Sequence, residues 1–193
     1  MAPDEHRTAA RIALRAPGES DLAWMAAMEA DPSLVGEHNW AGEALDASEV
    51  EAQLRSRFVA EGFVGADRGL LLVELDGSVL IGDVSWRSEQ WGPTHRSRCP
   101  AIGIALLPEF RGRGFGREAQ RLLVDFLFER DPQLHRVQSD TAVDNVAEQR
   151  ALHAIGMVEE GRVRDAEYRD GRFHDHLLYG ILRDEWERAR AAR

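Results

Sequence analysis

The sequence predicts an α+β fold, a mixed β-sheet with helices packed on its faces. Three observations carry that expectation. Strand-like runs Leu70–Leu75 and Val79–Trp86 flank Asp76-Gly77, and Met157–Tyr168 and Arg172–Leu182 flank Asp170-Gly171. Asp-Gly supplies the two positive-φ residues that a tight hairpin turn requires. Between the hairpins, the apolar run Ala101-Ile102-Gly103-Ile104-Ala105-Leu106-Leu107 passes through the glycine loop Arg111-Gly112-Arg113-Gly114-Phe115-Gly116 into an amphipathic segment, Arg117 to Glu129. Neighbouring hairpin strands together with strand–helix alternation give one sheet with both antiparallel and parallel pairs.

The remaining elements follow in order. Ile12 and Leu14 alternate with Arg11, Ala13 and Arg15, a first strand. Ser20-Asp21 caps a helix from Leu22 to Ala30 that stops at Asp31-Pro32, and a loop with Glu37, His38, Asn39 and Trp40 follows. Ser48-x-x-Glu51 has capping-box spacing and opens a helix to about Ala60. Residues 87–98 are polar and read as loop. His135 to Thr141 forms a strand, Asn145 to Ile155 a helix closed by Gly156, and Arg183 to Arg193 a short charged helix.

At 193 residues the chain is expected to be one domain, 1–193, with its core over about 11–186. No apolar run approaches the ~20 residues needed to span a bilayer, so no membrane partner is expected. The first residues lack the pattern of a secretory signal and Cys99 is the single cysteine, so cytoplasm is the expected location. A formal net charge of −10 argues against a nucleic-acid partner, whose phosphates would need Lys and Arg. Yet Arg96, Arg98, Arg111, Arg113, Arg117 and Arg121 bracket the glycine loop, which suits one small polyanion. Strand, glycine loop and helix converge backbone N–H groups on an anionic phosphate, and glycines 114 and 116 let the backbone come close to it. Nothing in the sequence chooses between monomer and homodimer.

Pro108-x-x-Arg111-x-x-Gly114-x-Gly116 resembles the acyl-CoA pyrophosphate motif of the GNAT superfamily of N-acetyltransferases. Asn145-x-x-Glu148-Gln149-x-x-Leu152-x-x-Ile155-Gly156-Met157-x-x-Glu160-Gly161 resembles its second block. Tyr168-Arg169-Asp170-Gly171-Arg172-Phe173-His174-Asp175-His176-x-x-Tyr179 resembles the branch with the bacterial ribosomal-protein N-terminal (alanine) acetyltransferases. The resemblance implies a sheet splayed between its fourth and fifth strands, with acetyl-CoA as co-substrate and no metal. Its pantetheine would pair with the strand backbone of Ile104, Ala105, Leu106 and Leu107. Its pyrophosphate would lie on the N–H groups of Arg111, Gly112, Arg113, Gly114, Phe115, Gly116 and Arg117, with Asn145 either reaching it or only capping its own helix. The implied reaction is direct attack of an amine, of a protein N-terminus or a small molecule, on the thioester. The alternatives are a non-catalytic acyl-CoA-binding module and a transferase for a longer acyl chain.

The catalytic side chains of many relatives are replaced here. Leu152 stands where a tyrosine acid is common, Glu148 where the ribosomal branch often has serine, and Ala101 where a glutamate base is common. Three groups take their place as expectations: Glu148 and Asp83 as acid–base candidates, and the Leu106 N–H as oxyanion donor. Glu148 also has the N3 position of a capping box begun by Asn145, and that reading is kept beside the catalytic one. Glu37, His38, Trp40 and Trp86 are expected at the acceptor pocket. His174 and His176 share one strand face with no further metal ligands at suitable spacing, and Cys99 has nothing beside it to make it a nucleophile.

Overall fold

The computed structural model describes residues 11–36, 38 and 45–192. Seven strands form one sheet in the order β1-β2-β3-β4-β5-β7-β6. They are β1 (Ile12–Arg15), β2 (Arg68–Leu75), β3 (Val79–Gln90), β4 (Arg98–Leu106), β5 (Arg136–Ala142), β6 (Val158–Arg169) and β7 (Arg172–Leu182). The helices are α1 (Leu22–Ala30), α2 (Pro32–Val35), α3 (Ala47–Glu61), α4 (Phe115–Arg130), α5 (Val146–Ala154) and α6 (Arg183–Ala191). All neighbouring pairs are antiparallel except β4 and β5, which are parallel.

Both hairpins turn where Asp-Gly places them. Asp76 and Gly77 have φ of 50° and 79°, and Asp170 and Gly171 have 51° and 77°. The first hairpin is longer than its apolar runs suggest. Polar residues 87–90, read as loop, continue β3 because Arg87 to Gln90 pair with Ala101 to Arg98 of β4. At this end of the sheet backbone pairing, not side-chain burial, extends the strands. The short helix α2 also lay outside the sequence reading. Asp31 caps it by accepting from the Ser33 N–H at 2.9 Å, and Pro32 sits in its first turn, a placement that Pro tolerates without loss. In α3 the cap is Asp46 rather than Ser48: its carboxylate accepts from the N–H groups of both Ser48 and Glu49.

Strand alternation sorts the apolar residues onto two faces. Leu71 and Val73 of β2, Val84 and Trp86 of β3, and Ile102 and Leu106 of β4 meet α4, whose Phe115, Ala119, Leu123 and Leu127 recur every four residues. Leu70, Leu72 and Leu80 face the other way, onto Leu22, Met25 and Ala26 of α1 and Val50 and Leu54 of α3.

The feature that positions the site is the parting of β4 from β5. Their pairing is registered at Ala101↔Gln138. Next to it the Ser139 hydroxyl, and not a main-chain amide, donates to the Ile102 carbonyl at 3.1 Å. Toward Leu106 the strands are no longer laddered, which is the splayed sheet that the resemblance implied.

Candidate functional site

The β4 backbone alternates its hydrogen-bonding edge. The Leu107 N–H donates to Ile81 of β3 at 2.9 Å, so the Leu106 N–H points to the opposite side, toward the gap before β5. The same alternation turns the amides of Ala105 and Leu107 toward β3. Of the four residues expected along the pantetheine, Ile104 and Leu106 line the cavity at the gap, and Ala105 and Leu107 do not.

That cavity, ≈ 690 Å³, runs from β4 across the glycine loop to α5. Gly112 and Gly114 have φ of 68° and 87°, a region that L residues with side chains rarely occupy, whereas Gly116 is already helical. Gly114 is the N-cap of α4, and its carbonyl accepts the first helical bond, from the Glu118 N–H, at 3.2 Å. The amides of residues 115–117 precede that bond, so they have no carbonyl within the helix to meet them. They form the positive end of a 16-residue helix dipole beside the cavity. Gly112, Gly114, Gly116 and Arg117 all line it.

The side chains of Arg111, Arg113 and Phe115 brace the loop, and of the three Arg111 also lines the cavity. The Arg111 guanidinium donates from Nε to the Leu106 carbonyl at 2.7 Å and from Nη2 to the Leu34 carbonyl at 2.5 Å. It thereby ties the end of β4 to α2. Arg113 lies over the Phe115 and Phe110 rings, 5.0 and 5.7 Å from their centroids. Phe115 is 8% exposed and belongs to the core, so only its backbone is available to a ligand.

Helix α5 forms the far wall. The Asn145 side chain caps it by accepting the Glu148 N–H at 3.3 Å. The return bond of a capping box is not made: the Asn145 N–H donates to the Ala142 carbonyl, and the Glu148 carboxyl turns to Gln120 of α4, whose Nε2 donates to its Oε2 at 3.3 Å. Burial pushes the Glu148 carboxyl up to about 7, against the opposing pull of that donor. Ala147, Arg150, Ala151 and Ala154 complete the wall, with Gly36 beyond α2. These were not singled out in the sequence, although Ala147, Ala151 and Ala154 recur at helical spacing and leave one face of α5 free of bulk. Gln120, fully buried in α4, was also missed.

Asp83 stands directly across from Ala105, on the α1/α3 face of the sheet and outside the cavity. Burial, and secondarily the negative charge of Glu29, raise its carboxyl to about 7. Trp86 does not reach the acceptor side. Three residues on from Asp83, it has the opposite phase, faces α4, is 3% exposed and packs against Phe126 with ring centroids 5.7 Å apart. Glu37 and Trp40 lie outside the described residues. His38 lines the cavity and contacts Arg169 through Nδ1. Arg169 is buried, grips both oxygens of Asp144 at 3.0 and 2.9 Å, and lies 3.4 Å from His174 Nδ1. The segment after α2, the β6–β7 hairpin and the start of α5 thus meet at one polar cluster.

His176 sits between Asp140 at 2.8 Å and Glu167 at 3.1 Å. Burial disfavours its charged form, but the two carboxylates outweigh that and its pKa is raised. Among the described residues no group of three His, Cys, Asp or Glu could hold a metal ion. Cys99 is 3% exposed and its thiol is pushed up by burial, which leaves it a packed side chain bonded to Gln138. Among the described residues no helix is long and apolar enough to cross a membrane.

Residues 11–158 match the profile of the acetyltransferase (GNAT) domain. A candidate ribosomal N-acetyltransferase of Bacillus subtilis, YdaF, is 37% identical over 123 residues, 64% of this chain. The chain spans 62% of that relative's length. Among solved structures, spermidine N-acetyltransferase from Vibrio cholerae in complex with CoA and spermine superposes with a TM-score of 0.75 at 23% identity, covering 91% of this chain and 98% of the other. A ribosomal L7/L12 alpha-N-protein acetyltransferase in complex with CoA gives 0.72 at 20% identity, covering 90% and 95%. At these identities the two structures establish the shared fold.

Proposed function

The chain belongs to the GNAT acetyltransferase family, and from that premise we propose that it transfers an acetyl group from acetyl-CoA to an amine by direct attack. The observation that carries this is the cavity at the β4–β5 gap. It joins an outward-facing strand amide, a glycine loop at a helix N-terminus and a carboxyl held near neutrality.

In this reading the pyrophosphate rests on the amides of residues 112–117 and Arg117, and the thioester lies along Ile104 and Leu106. The Leu106 N–H faces the gap and stabilises the oxyanion as the amine nitrogen bonds to the acetyl carbon. Asp83 lies on the α1/α3 face outside this cavity, and in this reading it takes, through water, the proton that the attacking amine must lose. An α-amine suits this site better than a lysine, because its reference pKa of ~7.7–8.0 lies close to that of the raised carboxyl, whereas lysine stands near ~10.4. The acceptor is accordingly the amine of a protein N-terminus or of a small molecule. It enters past His38 and the Arg169 cluster.

The test is release of CoA thiol from acetyl-CoA and, in parallel, succinyl-CoA over a panel of peptide N-termini, polyamines and simple amines. Amine-dependent release with acetyl-CoA supports the reading. Binding of acetyl-CoA without release to any amine would favour a non-catalytic acyl-CoA module. Preference for succinyl-CoA would favour a longer-chain transferase.

A further inference from the structure

Gln120 is an amide in the wrong company for an ordinary surface helix residue. It is 0% exposed, next to Ala119 and one turn before Leu123 and Val124 on the face that α4 buries. A polar group there is costly unless each of its atoms finds a partner. Its Nε2 donates to Glu148 at 3.3 Å, while its Oε1 is buried with no partner. Glu148 in turn sits on the cavity wall, and among the described residues its one side-chain hydrogen bond goes to Gln120.

An amide carries a donor and an acceptor side by side, and a half-turn of the group exchanges them. When Glu148 is ionised, Nε2–H donates to it. When Glu148 holds its proton, its O–H finds an acceptor in Oε1, the atom otherwise left unmet. No apolar residue could serve both forms. We propose that Gln120 is a positioning residue for Glu148: the buried amide holds the carboxyl at the cavity wall and partners it as acid and as carboxylate, so that Glu148 delivers a proton to the departing CoA thiolate.

The proposal rests on the acetyl-transfer reading. As the C–S bond breaks, the Glu148 O–H bond breaks and an S–H bond forms. The carboxylate left behind is received by Nε2–H. The nitrogen of the new amide has lost one proton to Asp83, Asp83 releases it to solvent, and solvent returns one proton to Glu148, so the cycle is balanced. Leu152, at the position where relatives carry an acidic tyrosine, is a fully buried aliphatic side chain and supplies no proton. Burial that lifts Glu148 to about 7 keeps a usable fraction of it protonated at neutral pH.

The test is a pair of titrations on wild type, Gln120→Leu and Gln120→Met, the second in case leucine misfolds. Carbon-13 NMR of labelled glutamate follows the Glu148 carboxyl in the free protein, with Glu148→Gln assigning the signal. The pH profile of kcat follows it in turnover. Losing the donor removes more from the charged form than from the acid, so both the carboxyl midpoint and the basic limb of kcat should rise by about one pH unit. At pH 7 kcat should fall about tenfold because the carboxyl is no longer held in place, even though more of it is protonated there, with KM for acetyl-CoA within about twofold. In Glu148→Gln the basic limb should vanish, and adding Gln120→Leu to it should have no further effect on the profile. A purely structural Gln120 would leave both titrations where they were; that result in a folded variant overturns the proposal, as does a wild-type Glu148 titrating near ~4.3. If no amine released CoA from wild type, proton delivery would fall with the transfer reading, and the NMR titration would still decide the pairing.

Discussion

The Arg111 guanidinium donates to the carbonyl of Leu106, 2.7 Å away, so the motif arginine braces the end of β4 while also lining the cavity. The second arm of the fork reaches Leu34, so one side chain fixes the end of β4 against α2. Arg111→Lys keeps the charge but cannot hold two carbonyls in fixed directions. It should lower the melting temperature by several degrees and weaken acetyl-CoA binding by about tenfold, as differential scanning and calorimetry would record. An unchanged affinity would mean that the Leu106 edge needs no such brace.

Glycine 114 tests the loop. A Cβ built there meets nothing within 4 Å, so the cost of substitution is not a clash within the protein. It is the left-handed backbone, φ 87°, and the approach of a phosphate. Gly114→Ala should therefore cost about 1 kcal/mol of stability and weaken acetyl-CoA more than stability alone explains. Arg117→Ala should weaken binding modestly and flatten its dependence on salt, since exposed charges are screened. Equal affinities across a salt series in wild type would remove the anionic-ligand argument.

Much of this site was legible in advance because it depends on the backbone. Glycines between a strand and a helix, and Asp-Gly at two hairpins, fix local conformation whatever packs around them, and the loop and turns lie where the sequence put them. Side-chain phase was harder to read. Trp86 and Asp83 sit three residues apart on one strand, so alternation alone puts them on opposite faces, but only the packing shows which face meets α4 and which meets α1 and α3. The capping spacing of Asn145 and Glu148 was also readable, but half of it was misleading. Gln120 lies 28 residues away along the chain and offers the Glu148 carboxyl a partner that no local pattern reveals. The wall of α5 escaped notice because alanines carry no chemistry of their own.

Glu148 predicts a pH-dependent stability. Its carboxyl stands near 4.5 unfolded and is pushed up to about 7 in the fold. Its contribution to stability is full below pH 4.5 and is lost as pH rises through about 7, because the unfolded chain ionises first. Glu148→Gln removes that loss. It should melt higher than wild type at pH 8, by an amount worth about 1–3 kcal/mol, and the advantage should disappear near pH 4.5. A difference constant across pH would contradict the buried, raised carboxyl.

Asp83 predicts a separate effect on catalysis. Asp83→Asn should reduce kcat by about 10²-fold and remove the acidic limb of its pH profile, with KM for acetyl-CoA changed by less than about twofold. The limb should lie near the raised value of about 7 in wild type. If kcat held, the proton would leave the amine by another route and Asp83 would be a structural carboxyl of the α1/α3 face.

The most direct measurement is calorimetric titration of acetyl-CoA into wild type, Gly114→Val and Ala151→Trp. The two substitutions fill the cavity from opposite walls, one at the phosphate loop and one on α5. Wild type should bind one equivalent, and each variant should lose about tenfold or more in affinity while its unliganded melting curve remains cooperative. Wild-type affinity in both folded variants, or no binding in wild type, would contradict the placement of acetyl-CoA between β4 and α5 on which the proposed transfer depends.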